Sequence, residues 1–315
     1  MTVNRRHFTK TFCTGLAFMN LACMTMGKKS FAAGNGSVGI GMCDWNLGGA
    51  ASPDIIPRAK EANLNGIQVS VGISPDNIPL RDKKVRQRYL DLGREYGITF
   101  HSVAAGGILN DIPLASEPQS AVYVIDAIEA AEVLGGKNIL LAFFGNGDLR
   151  LKDSDGKFRD LKDGPYSSYE LDSKGVTRVV ETLRQIVPRA EDSGVVIGLE
   201  NTITAKQNLD IIERVDSNMV QVYYDVGNSW GNGYDVPGEI RMLGNERICE
   251  VHLKDWNTTM LGSPEGMVDM VQCAQALEDI GYDKWLVLET SGRKNRFIED
   301  TKANVAFVKK TFKMA

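Results

Sequence analysis

A single (β/α)8 TIM barrel of the α/β class is the fold the sequence predicts, and two observations predict it. Eight short, β-rich apolar runs recur across residues 34–315, and longer amphipathic stretches lie between them. Strands alternating with helices at roughly 25–40-residue spacing imply a parallel sheet, and a count of eight implies closure. The length agrees: such a barrel takes about 250 residues, and the chain has 315.

In chain order, the first strand is expected at 38–44 and hands over to an amphipathic stretch at 53–62. The second, 66–71, leads to 83–96, which stops at Gly97. The third, 99–104, leads to 120–134, which opens on Ser120 and halts at Gly135-Gly136. A polar cap residue at the start and glycine just past the end are the expected helix boundaries. The fourth strand, 138–144, is followed by a charged, glycine-containing stretch from Gly145 to Asp172 with no clear period. This extended loop between strands four and five would emerge at the C-terminal face, where barrel enzymes carry their chemistry, and a lid is the expectation. Helical periodicity resumes at 176–190, before strands at 195–200, 220–225, 248–253 and 285–289. The intervening and final helices are expected at 209–215, 265–280 and 300–312.

Residues 1–33 read as a twin-arginine signal peptide preceding the barrel domain at 34–315. Arg5-Arg6-His7-Phe8-Thr9-Lys10 supplies the charged pair, 11–26 is uncharged and moderately apolar, and Ser30-Phe31-Ala32-Ala33 offers small residues for cleavage. Cys23 is an alternative lipid-attachment site. The apolar stretch is short for a membrane span, so the expected location is periplasmic or otherwise exported, with no stable membrane anchor. The leader carries five basic residues (Arg5, Arg6, Lys10, Lys28, Lys29) and no acid. Its loss takes the 36 basic residues to 31 against 40 acidic, a net charge of −9. Such a surface disfavours nucleic acid. Cys43, Cys249 and Cys273 remain, too few and too widely spaced for a disulfide framework.

The last four strands each end in a metal-capable side chain: Glu200, Asp225, His252 and Glu289, separated by 25, 27 and 37 residues. About one βα unit lies between neighbours, so all four would meet at the barrel mouth. Three carboxylates converging there repel one another unless a cation or protons compensate. One histidine with three carboxylates is a hard, oxygen-rich set, suited to Mn²⁺ foremost, with Mg²⁺, Co²⁺ or Zn²⁺ as alternatives.

The runs Gly198-Leu199-Glu200-Asn201, Tyr224-Asp225-Val226-Gly227-Asn228, Val251-His252-Leu253-Lys254-Asp255 and Leu288-Glu289-Thr290 resemble the sugar phosphate isomerase/epimerase superfamily, the xylose-isomerase-like TIM barrels. The resemblance implies that these four positions bind the metal and, as in the ketose epimerases of that family, that Glu200 and Glu289 also transfer protons. The chemistry is coherent: a cation on a ketone oxygen and its neighbouring hydroxyl acidifies the C–H between them, and two carboxylates can exchange that proton on opposite faces. Two positions depart from those epimerases, which tend to carry a histidine where Asn228 stands and an arginine after the histidine ligand, where Lys254-Asp255 follows.

Substrate contacts are expected from Asn228, Lys254, His101, Trp45, Gln68 and Trp230, with Trp256 a third aromatic after a strand end. The partner is a small sugar, and homo-oligomerisation is compatible with the sequence. The leading reading is an isomerase or epimerase of a non-phosphorylated keto sugar. Its rival is a lyase that cleaves a 3-keto-glycoside by β-elimination through the same enolate. An endonuclease-type barrel needs several histidines, and beyond the leader only His101 and His252 remain. A silent sugar-binding module has no need of two opposed bases. Twin-arginine export carries folded protein, so a weakly bound Mn²⁺ would be loaded before copper or zinc compete outside.

Overall fold

The computed structural model describes residues 39–161 and 165–314, so the leader, with Cys13 and Cys23, lies outside the described residues. Eight parallel strands close into one barrel in sequence order: β1 (Ile40–Cys43), β2 (Gly66–Ser70), β3 (Thr99–Ala104), β4 (Asn138–Ala142), β5 (Val196–Glu200), β6 (Val220–Asp225), β7 (Ile248–Leu253) and β8 (Leu286–Leu288). β1 pairs with β8, which removes the free edges. The strands are buried almost throughout, as parallel strands sandwiched between an interior and a helical layer must be.

The helical shell follows the expected order, with Lys83–Tyr96, Ala121–Leu134, Ser173–Ser193, Ala205–Val215, Met270–Asp279 and Phe297–Thr311 as its long members. Four of these starts are capped: Asp82, Asp172 and Asp269 each accept from backbone N–H groups, and Thr204 with Gln207 closes a reciprocal capping box, whereas Ser120, expected to open Ala121–Leu134, makes no such bond. Gly97 ends the second unit in the left-handed region at φ 64°, where a side chain is disfavoured. Helices at Val226–Gly231 and Val236–Arg247 were absent from the sequence expectation. Five glycines between 227 and 244 blur the 3.6-residue period there, and Asp225 and Asp235 start these helices instead.

Two register shifts shape the interior. One lies opposite Ile67 and Gln68, where β3 inserts an extra residue. The bulge turns neighbours His101 and Ser102 toward one buried carboxylate, which a regular strand would not allow. That carboxylate is Glu250, fully buried, bonded by His101 Nδ1 (2.9 Å), Ser102 Oγ (2.9 Å), Tyr223 OH (2.6 Å) and Asn138 Nδ2 (2.8 Å). The His101 ring stacks on Trp285, and a Cβ at Gly41 would sit 2.2 Å from His101 Nε2, so β1 needs glycine there.

The stretch after β4 is not featureless. Isolated antiparallel bridges join Arg150 to Leu171, Lys152 to Phe158 and Asp160 to Tyr169. Arg150 is buried, paired with Asp148 at 2.7 Å, and its guanidinium lies over Phe158. The excursion is fastened to the β5 and β6 loops through Thr202 to Asp148, Arg150 to Asn232, and Ser167 to Gly233. No described helix is long and apolar enough to cross a membrane.

Candidate metal centre and active-site cavity

Glu200 and Asp225 close β5 and β6, His252 lies in β7, and Glu289 follows β8, its N–H bonded to Leu253 O at 3.0 Å. One ligand-capable atom from each of the four lies within 4.8 Å of the others. His252 Nδ1 stands 3.1 Å from Glu200 Oε1, 3.6 Å from Glu289 Oε2 and 3.8 Å from Asp225 Oδ2. Asp225 divides its oxygens: Oδ1 accepts from Asn228 N at 2.7 Å and starts the next helix, while Oδ2 is buried and accepts no hydrogen bond. Lys254 Nζ lies 3.1 Å from that Oδ2, close enough for an ion pair but outside hydrogen-bonding geometry, and donates to Glu289 Oε2 at 2.7 Å.

The electrostatics report a site short of positive charge. Burial pushes the Asp225 carboxyl up to about 6, with Lys254 pulling it down and Glu289 adding to the rise. Burial alone would lower His252, but Glu200, Glu289 and Asp225 outweigh it and raise the imidazole to about 9. Burial likewise acts to lower Lys254, and the same three carboxylates lift it above the ordinary lysine range. Three carboxylates against one ammonium leave two negative charges when His252 is neutral, which one divalent cation neutralises. With its hard donors and an Asp225 Oδ2 that is buried without a hydrogen bond, the set fits such an ion.

The remaining expected contacts separate into four groups. Trp45, Asn228 and Lys254 line a cavity of about 410 Å³ over Glu200 and Glu289, with Ile73, Phe144, Ala104 and Ala142 as its apolar wall. Asn228 Nδ2 donates to Glu200 Oε1 at 3.4 Å. Gln68 is fully buried behind His252: its Oε1 accepts from His252 Nε2 at 3.0 Å and from Cys43 Sγ at 3.3 Å, and its Nε2 donates to Ser102 Oγ at 3.2 Å. It supports a ligand instead of lining the cavity. His101 is the correction: β3 runs on to Ala104, so His101 lies within the strand, buried against Glu250 in the barrel interior, and not at the strand end where a substrate contact was expected. Trp230 packs near Trp256, ring centroids 6.2 Å apart.

Two supporting residues escaped the sequence reading, Cys43 and Glu250. Glu250 had a signal: it precedes His252 by two in β7, so the period of a strand puts both side chains on the interior face.

Gln68 fixes the tautomer of His252. Because its carbonyl oxygen can only accept, Nε2 keeps its proton and Nδ1 is left to face the carboxylates. Gln68→Leu is expected to weaken Mn²⁺ binding by about 10–100-fold, the usual cost of losing such an outer partner. A competitive chelator titration of the folded variant checks it, and unchanged affinity would refute the role.

A second cavity of about 350 Å³ shares Lys254 and Glu289 with the first and extends between the β7 and β8 loops.

Residues 56–311 match the family model described as the xylose isomerase-like TIM barrel. The chain is 31% identical over 128 residues to a D-psicose 3-epimerase of Ruminiclostridium cellulolyticum, covering 38% of this chain and 43% of that protein. It is 26% identical over 220 residues to a 2-epi-5-epi-valiolone 7-phosphate 2-epimerase of an Actinoplanes strain, covering 69% and 72%. The chain thus spans less than half the length of the curated relatives it matches at 31 to 34% identity. In fold it is similar to the D-psicose 3-epimerase structure from Clostridium cellulolyticum H10, with TM-score 0.69, 17% identity, and coverage of 87% and 99%.

Proposed function

The chain belongs to the xylose isomerase-like TIM barrel family, and from that premise we propose that it is a divalent-metal-dependent isomerase or epimerase of a non-phosphorylated keto sugar. The observation that carries the reading is the four-residue cluster, its Asp225 Oδ2 buried without a hydrogen bond, in the floor of a cavity that exposes two carboxylates. The epimerase relatives support the class of reaction. Glu200, Asp225, His252 and Glu289 hold the cation, Mn²⁺ foremost, which supplies positive charge beside the carbonyl and its neighbouring hydroxyl and so acidifies the C–H between them.

The protein side chains do the rest. Glu289 and Glu200, three strands apart around the barrel, face the cavity from two sides. One carboxylate takes the proton from the carbon, the electron pair moves onto the carbonyl oxygen to give an enediolate, and the other returns a proton on the opposite face. Lys254, donating to Glu289 Oε2, orients that carboxylate. Asn228 can donate to a sugar hydroxyl but cannot carry a proton at neutral pH. The apolar wall of Ile73, Phe144 and Ala142 excludes water from the carbons. The one cationic residue of the cavity lining, Lys254, is already engaged by two carboxylates, which disfavours a phosphate there.

β-Elimination from a 3-keto-glycoside begins with the same proton abstraction, and the second cavity beyond Glu289 favours keeping it as the alternative. NMR of the Mn²⁺-loaded protein in D₂O, with free ketoses and 3-keto-glycosides, decides. Deuterium entering beside the carbonyl together with a new epimer or isomer is expected, and release of an aglycone would select the lyase. Absence of exchange in every substrate would overturn both. Export after removal of residues 1–33 is part of the proposal, and sequencing the N-terminus of periplasmic protein tests it.

A further inference from the structure

Of the two adjoining cavities, the larger holds both Glu200 and Glu289 and the smaller Glu289 alone, which places a reacting carbonyl in the larger. A hexose has twelve heavy atoms and fills roughly 150–200 Å³ at the packing density of protein interiors. The 410 Å³ cavity therefore accommodates a free ketose by itself, and the adjoining 350 Å³ would serve no purpose for it. We propose that the second cavity is a subsite for an uncharged sugar ring, and that the natural substrate is a keto sugar joined to that ring by a glycosidic bond. The inference rests on the proton-transfer reading above and names its substrate class.

The chemistry of the lining selects the occupant. Beyond Lys254 and Glu289 the walls are Trp256, Asn257, Thr258, Thr259 and Ser291, with Asp255 and Thr290 beneath. Hydroxyls and an amide beside a half-exposed indole suit a pyranose, which offers a C–H face for stacking and a rim of hydroxyls for hydrogen bonds. An anion is disfavoured because Lys254, the one cationic residue of the lining, is already paired with Glu289. A cation is equally disfavoured. Asp255 is buried, and its Oδ1 accepts from the N–H groups of Trp256, Met267 and Val268.

The walls are also fixed in place. Asn304, buried beneath the two loops, donates to Thr259 O at 2.8 Å and Thr290 Oγ1 at 3.2 Å and accepts from Leu261 N at 2.9 Å. One side chain thereby ties the loop after β7 to the residue that follows Glu289. Such a preorganised wall costs little ordering when a ring docks.

The test uses the Mn²⁺-loaded enzyme with methyl 3-keto-glucoside and a 3-keto-disaccharide of two glucose units, reading deuterium exchange and kcat/KM. The disaccharide is expected to be preferred by about tenfold or more, and Trp256→Ala to cut that preference to roughly threefold or less, with Trp256→Phe restoring part of it. Equal kcat/KM for the two substrates, or a preference that survives Trp256→Ala, would overturn the subsite. If neither substrate exchanges, the reaction assignment fails while the subsite is still read by calorimetry. Disaccharide binding weakened about tenfold by Trp256→Ala sustains it, and no binding overturns it.

Discussion

Glu289→Gln is expected to lower kcat by about 10²–10⁴-fold, with deuterium exchange falling in parallel and KM changing little, since general-base catalysis contributes on that scale. The substitution is close to isosteric and keeps an oxygen beside Lys254 Nζ, now 2.7 Å from Oε2. What it removes is the basic oxygen that takes or returns a proton. Because Glu289 also belongs to the four-residue cluster, metal content must be measured on the same sample, and the rate compared at full loading. Asp225→Asn is the contrasting variant. Asp225 is almost wholly buried under the cavity floor, so its loss should act through metal affinity and be restored by excess Mn²⁺, whereas Glu289→Gln should not. A fully loaded Glu289→Gln protein within tenfold of the unmodified enzyme would sink the assignment of Glu289 as a base. Folding is not the confounder. Glu289 is partly exposed among two other carboxylates, and removing one of three like charges relieves repulsion in the metal-free protein.

The barrel was legible because parallel strands are apolar on both faces and end abruptly in a polar residue. Leu199-Glu200, Tyr224-Asp225 and Leu288-Glu289 each mark such an end, and the strand boundaries fall at or beside them. The same feature exposed the candidate ligands, since a residue ending a barrel strand sits at the mouth whatever its neighbours are. Positions inside strands were harder. A substrate contact from His101 took it as the end of β3, but the strand runs on to Ala104, and no local sequence pattern announces the bulge that turns His101 toward Glu250. Gln68 was expected to touch the substrate, yet it is buried and reaches His252 from behind. The second cavity was illegible for a different reason. Its walls come from two loops joined through Asn304, on a helix about fifteen residues further along the chain than Glu289, and only the closed fold brings them together.

Glu250→Ala is expected to destabilise the fold by about 3–5 kcal/mol, since four buried donors lose their acceptor at about 1–3 kcal/mol each before the site relaxes. In a barrel of this size that is a fall in Tm on the order of 10 °C. The reasoning is local. Glu250 Oε2 accepts from His101, Ser102 and Tyr223, and Oε1 from Asn138. Those four donors come from β3, β4 and β6, so one carboxylate on β7 ties together strands on both sides of the interior. Deleting it leaves four buried donors that water cannot readily reach, and an unmade buried bond costs more than a made one contributes. Glu250→Gln keeps the shape and one acceptor oxygen, so it should lose less. The acid dependence has a definite sign. Burial alone would raise the Glu250 carboxyl, but His101, Tyr223 and Ser102 hold it below the ordinary glutamate value. Its contribution is therefore complete above that ordinary value and lost as the pH falls through the lowered one. The Tm gap between the unmodified protein and Glu250→Ala should narrow under acid, and calorimetry at neutral and acidic pH reads it. The network also reaches the candidate ligands, because Ser102 accepts from Gln68, whose carbonyl holds His252. A variant that stays within 1 kcal/mol of the unmodified protein would mean that the barrel is held by its apolar packing alone, and that Glu250 serves only to orient His252 through that chain.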